Sequence, residues 1–89
     1  MSRETIREKL KTFICSELLG DPVYPLGEEE SLIESGLIDS FALAQFGVFV
    51  EQTFKLYIPD NELTASRLDT LKDMTDKVYE GVKSQRNDG

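Results

Sequence analysis

Few residues of this chain have the chemistry to carry out a reaction. Its 89 residues include no histidine and a single cysteine, Cys15. Without histidine, a Ser-His-Asp type of triad and an HExxH zinc site are both excluded. One cysteine makes neither a CxxC metal or redox motif nor an internal disulfide, so nothing points to an oxidising compartment. No glycine-rich phosphate loop ending in Gly-Lys-Ser/Thr is present. The acidic stretch from Asp21 to Asp39 lacks the alternating ligands and central glycine of a calcium-binding loop. With 17 acids in the chain, carboxylate pairs arise by chance; neither independent enzymatic activity nor a metal site is expected. What remains is Gly36-Leu37-Ile38-Asp39-Ser40-Phe41, a hydroxyl next to a carboxylate just before an amphipathic segment. Asp39 suits a helix N-cap there, which leaves Ser40 in the first turn, beside amides without intrahelical partners. On this ground alone the pair does no more than cap a helix.

The elements that must position this pair read as helices. Thr5 to Leu19 is the first, with Ile6, Leu10, Phe13 and Ile14 at helical spacing, Ser2 ahead of it as cap and Gly20 to stop it. Pro22 and Pro25 prevent its resumption. Gly20 to Asp39 then forms a long connection carrying Val23, Leu26, Leu32, Ile33, Leu37 and Ile38, which predicts an ordered loop pinned to the core. A short helix around Ser31 to Ser35 is the alternative. Ser40 to Phe54 is the second helix, with Leu43, Phe46, Gly47, Val50 and Phe54 on one face. A one-turn helix capped by Asp60 or Thr64 follows. The last helix begins near Thr70, where Thr70 and Asp73 have capping-box spacing, and its apolar stripe is Leu68, Leu71, Met74, Val78 and Val82. No segment sustains strand-like alternation. The expected fold is all-α, a small bundle of three main helices plus a short one, with a domain over residues 1–82 and a flexible polar tail over 83–89.

Charge narrows the partners. The net charge is −7, and six acids with no base lie between Asp21 and Asp39, so the negative field belongs to one segment. Nucleic acid, which needs a basic face, is not an expected partner. Partners with basic patches are favoured. No apolar stretch is long enough to cross a bilayer and no basic start with an apolar run marks a signal peptide, so no membrane insertion is expected and the cytoplasm is the default location.

The run Ser31-Leu32-Ile33-Glu34-Ser35-Gly36-Leu37-Ile38-Asp39-Ser40 closely resembles the prosthetic-group site of acyl and peptidyl carrier proteins. The resemblance extends to the helix before the loop, to Phe54 through Ile58-Pro59, and to the closing helix. It implies that Ser40 receives 4′-phosphopantetheine from a phosphopantetheinyl transferase, with Asp39 as the motif acid. It further implies a monomeric carrier that holds an acyl or aminoacyl group as a thioester. Such a carrier serves a loading ligase or acyltransferase and downstream synthase enzymes. A phosphodiester at a helix N-terminus has its charge partly compensated, which agrees with that reading.

The outer face of the second helix carries Phe41, Ala44, Gln45 and Val48 opposite the core stripe, a candidate docking surface beside Ser40. Fatty-acid carriers usually present several acids along this helix, whereas this one carries only Glu51. The wording of the motif and the apolar helix look more like discrete carriers of D-alanyl, nonribosomal-peptide or polyketide pathways. Gly47 lies inside the helix at a cost of about 1 kcal/mol relative to alanine. Close packing is the first explanation and room for a cargo chain the second. Cys15 reads as a small core residue. From a different class comes the alternative of an unmodified helical adaptor that docks a partner through Phe41 and Val48.

Overall fold

The computed structural model describes residues 1–87, and among them there are helices and turns but no strand. Helix α1 spans Arg3–Phe13, α2 spans Phe41–Phe54 and α3 spans Leu71–Asn87, with a 3-10 turn at Asp60–Glu62. This is the small helical bundle that the periodicity predicts. No helix among the described residues is long and apolar enough to cross a membrane.

Helix α1 begins at Arg3, two residues before the predicted start, because Ser2 caps it directly: Ser2 Oγ accepts from the Thr5 amide at 3.1 Å. Its end continues into a π-helical turn at Ile14–Leu18, where the Leu19 amide reaches back to the Ile14 carbonyl at 2.9 Å. Gly20, at φ +68°, then turns the chain out of the helix. Ile6, Leu10 and Ile14 are buried at the expected spacing and Cys15 as a core residue, whereas Phe13 of the same stripe is only half-buried.

From Gly20 to Ser40 the chain makes turns without a helix, and Ser31 to Ser35 is a set of turns rather than the alternative short helix. Leu26, Leu32 and Ile38 are buried and hold this connection to the core, while Val23 is 85% exposed and contributes nothing to it. Burying a leucine or isoleucine stabilises by roughly 1.5–3 kcal/mol, and that offsets part of the entropy of ordering the chain between these anchors.

Helix α2 buries Leu43, Phe46, Val50 and Phe54 as expected, and Ala42 with them. Gly47 sits at the edge of that face. A Cβ there would lie 3.0 Å from Leu63 Cδ1, so the glycine makes a notch that Leu63, from the α2–α3 connection, fills. Close packing therefore explains Gly47, though against a connecting segment rather than another helix. Lys55 ends α2 in the left-handed region at φ 56°. The 3-10 turn starts at Asp60 after Pro59 with no side-chain cap, so neither Asp60 nor Thr64 caps it as the sequence predicts. Lys77 on α3 pairs with Glu62 and holds the turn down.

Helix α3 is capped by Thr70, whose Oγ1 accepts from the Asp73 amide at 3.0 Å. Its stripe packs against α1, with Leu68, Leu71, Met74 and Val78 buried and Val82 half-buried. Thr75 is also fully buried, its hydroxyl donating to the Leu71 carbonyl at 2.7 Å. Arg3 joins the two helices from outside through Asp76 at 2.9 Å. The backbone stays helical to Asn87, past Val82 and through much of the expected polar tail; Asp88 and Gly89 lie outside the described residues.

Candidate functional site

Asp39 and Ser40 divide the work at the start of α2. Asp39 Oδ1 accepts from the Phe41 amide at 3.1 Å, and the Asp39 carbonyl accepts from the Ala42 amide at 3.1 Å. Asp39 is thus the side-chain cap. Ser40 already has helical dihedrals, φ −69° and ψ −18°, makes no capping bond with its side chain, and is exposed. The two residues are therefore not interchangeable caps: one holds the helix end, and the other presents a hydroxyl to solvent. Because the Phe41 and Ala42 amides are already engaged, a negatively charged group at Ser40 would be compensated by the helix dipole rather than by those two donors.

Ahead of Ser40 in the chain, the loop is fixed by a residue that the sequence reading missed. Asp69, two residues ahead of α3, accepts from the Ile33 amide at 2.7 Å, the Glu34 amide at 3.0 Å and Ser31 Oγ at 2.5 Å. Burial pushes its carboxyl up, but the hydrogen bonds from Ser31, Glu34 and Ile33 outweigh this and leave it below its ordinary value. No short-range pattern marks Asp69, since its partners lie more than 30 residues earlier.

The acids of the loop are partly committed to the fold. Glu28 faces Arg3 and Arg7, each at 3.6 Å. Glu30 accepts from the Tyr24 hydroxyl at 2.5 Å, which raises the Tyr24 pKa. Asp21 accepts from the Val23 amide at 3.2 Å. Glu29 and Glu34 are exposed and face solvent.

The outer face of α2 is where the helical spacing puts it. Phe41 is 81% and Val48 56% exposed, and Ala44 and Gln45 are exposed between them. Ala44, Gln45 and Val48 also form one wall of an open groove of about 1160 Å³ between α2 and α1. Within that groove the Phe13 and Phe49 rings stack at 4.3 Å.

Cys15 is 2% exposed, and its thiol points to the Tyr24 carbonyl at 3.7 Å. Burial pushes its pKa up, so it is a packed side chain and not a reactive thiolate. No group of three or more cysteine, aspartate or glutamate side chains converges into a metal-binding arrangement among the described residues. No family model matches the chain, and no curated protein does.

Proposed function

We propose that the chain is a carrier, modified on Ser40 with 4′-phosphopantetheine and acting with separate enzymes of a biosynthetic pathway. The observation that supports it most is the division at the start of α2: Asp39 supplies the cap, and the exposed Ser40 supplies a hydroxyl without a structural task. When attached, the group supplies a thiol that holds an acyl or aminoacyl cargo as a thioester. Ser40 Oγ forms the new bond to the phosphopantetheine phosphorus, the pyrophosphate bond of coenzyme A breaks and adenosine 3′,5′-bisphosphate leaves, and the serine proton passes to a base of the transferase. The chain itself positions. With Glu51 as the one charged residue on α2, partner enzymes dock mainly on apolar contacts. That favours a D-alanyl, nonribosomal-peptide or polyketide role over housekeeping fatty-acid synthesis.

Incubation with a broad-specificity phosphopantetheinyl transferase and coenzyme A tests this by intact mass. Wild type gains one phosphopantetheine, and Ser40→Ala gains none. Equal labelling of both proteins, or no labelling of wild type by several transferases, refutes the carrier reading. The 81% exposure of Phe41 supports a second reading, an unmodified adaptor that docks a partner through Phe41 and Val48. The same experiment separates the two.

A further inference from the structure

Asp39 fixes Ser40 relative to α2, but nothing in that cap fixes the start of α2 relative to the rest of the bundle. A second set of contacts does. The Asp69 carboxylate holds Ser31, Ile33 and Glu34, and the Asp69 carbonyl accepts from the Leu32 amide at 2.7 Å. The Leu32 carbonyl in turn accepts from the amide of Ile38, two residues before Ser40, at 2.9 Å. Leu32 and Ile38 are both buried, so these bonds are shielded from competing water. A run of main-chain hydrogen bonds, Asp69 to Leu32 to Ile38, therefore leads from the start of α3 to within two residues of Ser40. The Asp69 carboxylate clamps the Ser31 to Glu34 turn through which that run passes.

We propose that Asp69 is a positioning residue for the modification of Ser40: it ties the Ser31–Ile38 loop to α3 and so presents the serine to the transferase in one geometry. This rests on the carrier reading above. The residue type follows from the task. Three donors converge on the side chain, and only a carboxylate offers acceptors on both oxygens. Asparagine keeps one oxygen for the Ile33 and Glu34 amides and turns an amide group toward Ser31, whose hydroxyl can rotate to accept. Alanine removes all three bonds.

The test measures kcat and KM for transfer of phosphopantetheine from coenzyme A to Ser40, together with amide exchange of Ile33, Glu34 and Ile38. In Asp69→Ala the Ile33 and Glu34 amides lose their acceptor and exchange faster, and Ile38 exchanges faster as the Ser31 to Glu34 turn loosens around its main-chain bond. In the same variant kcat/KM falls by about tenfold or more, as misplacement of a reacting group by about 1 Å can cost more than that. Asp69→Asn restores the rate to within about threefold of wild type. A buried truncation on α3, Val78→Ala, serves as the stability control and is labelled at the wild-type rate although it melts lower. Should Asp69→Ala fail to fold, Asp69→Asn against Asp69→Leu at reduced temperature makes the same comparison.

Wild-type labelling rates in Asp69→Ala despite faster exchange overturn the positioning role, as does equal slowing in Val78→Ala. Unchanged exchange of Ile33, Glu34 and Ile38 in Asp69→Ala overturns the tie itself, whatever the labelling. Absence of labelling in wild type overturns the carrier reading and with it the role. The exchange data then still report on the tie, so the two failures are distinguishable.

Discussion

Among the described residues two glycines lie inside helices, and the same substitution meets a tighter neighbour at one than at the other. Gly47 is in α2 and Gly81 in α3. Replacing either by alanine removes the same intrinsic penalty, about 1 kcal/mol, so a difference between the variants reads packing alone. At Gly47 a Cβ meets Leu63 Cδ1 at 3.0 Å, with the other Leu63 atoms at 3.7 and 3.9 Å. One methyl must yield slightly, and Leu63 is only half-buried, so Gly47→Ala is expected to be neutral or more stable by up to about 1 kcal/mol. At Gly81 a Cβ would stand 2.5, 2.7 and 3.1 Å from the two methyls and the branch carbon of Leu56. The end of the Leu56 side chain must swing aside, and because Leu56 is also half-buried the cost lies near the low end of the roughly 1–3 kcal/mol of core overpacking, so Gly81→Ala is neutral or less stable by up to about 1 kcal/mol. The gap between the variants then centres near about 1 kcal/mol, which is about 4–8 °C in Tm for a domain of this size. Urea and thermal melts followed by circular dichroism measure it. Adding Leu56→Ala to Gly81→Ala should recover part of the loss, with coupling between the two sites. If Gly81→Ala is as stable as Gly47→Ala, Leu56 does not sit in the Gly81 notch and the reasoning fails. Gly47→Leu, by contrast, is expected to cost about 1–3 kcal/mol; no change there would mean that Leu63 leaves the Gly47 notch freely.

Three carboxylates make the fold sensitive to acid. The Lys77 hydrogen bond lowers Glu62, while hydrogen bonds lower Asp69 and Asp76 against the upward push of burial. A depressed folded pKa adds stability above the ordinary carboxylate values and loses it as pH falls through the folded ones; Tm should thus drop on acidification below about pH 4, and less steeply in Asp69→Asn. Replacing Phe41 and Val48 together by polar residues should change stability by less than about 0.5 kcal/mol, since both are exposed. Loading by a cognate ligase should nevertheless slow by about fivefold or more, the loss expected when an interface anchor worth 1 kcal/mol is removed. An intact fold with an unchanged loading rate would move recognition to the exposed Glu29 and Glu34 of the loop, and loading would then weaken as salt rises.

What was legible in the sequence was whatever repeats within a helical turn. The α2 and α3 stripes, the Ser2 and Thr70 caps and the Asp39 cap are encoded by neighbours two to four residues apart, and each is where its spacing puts it. The π-turn was not legible, because Ile14–Leu18 has the composition of any amphipathic helix end. Nor was the run of α3 to Asn87, where apolar periodicity has ceased; there Gln85 reaches the Lys55 carbonyl at 2.5 Å, a contact across 30 residues. Gly81 escaped notice for the same reason, since its partner Leu56 belongs to a distant connection.

Asp69 is the instructive omission, because under the proposed carrier function it follows from what Ser40 requires. A serine that a separate enzyme must reach has to be exposed, so its own packing cannot hold it in place. A long connection without a helix, left to itself, would let the start of α2 drift by more than a phosphoryl transfer tolerates. Rigidity must then come from below, through the buried Leu26, Leu32 and Ile38, and from the side, through a carboxylate able to accept from several loop donors at once. The sequence displays the apolar half of that arrangement openly, as the hydrophobic residues of an otherwise acidic loop. The polar half is a single aspartate among 17 acids, and only its position in space sets it apart from the rest.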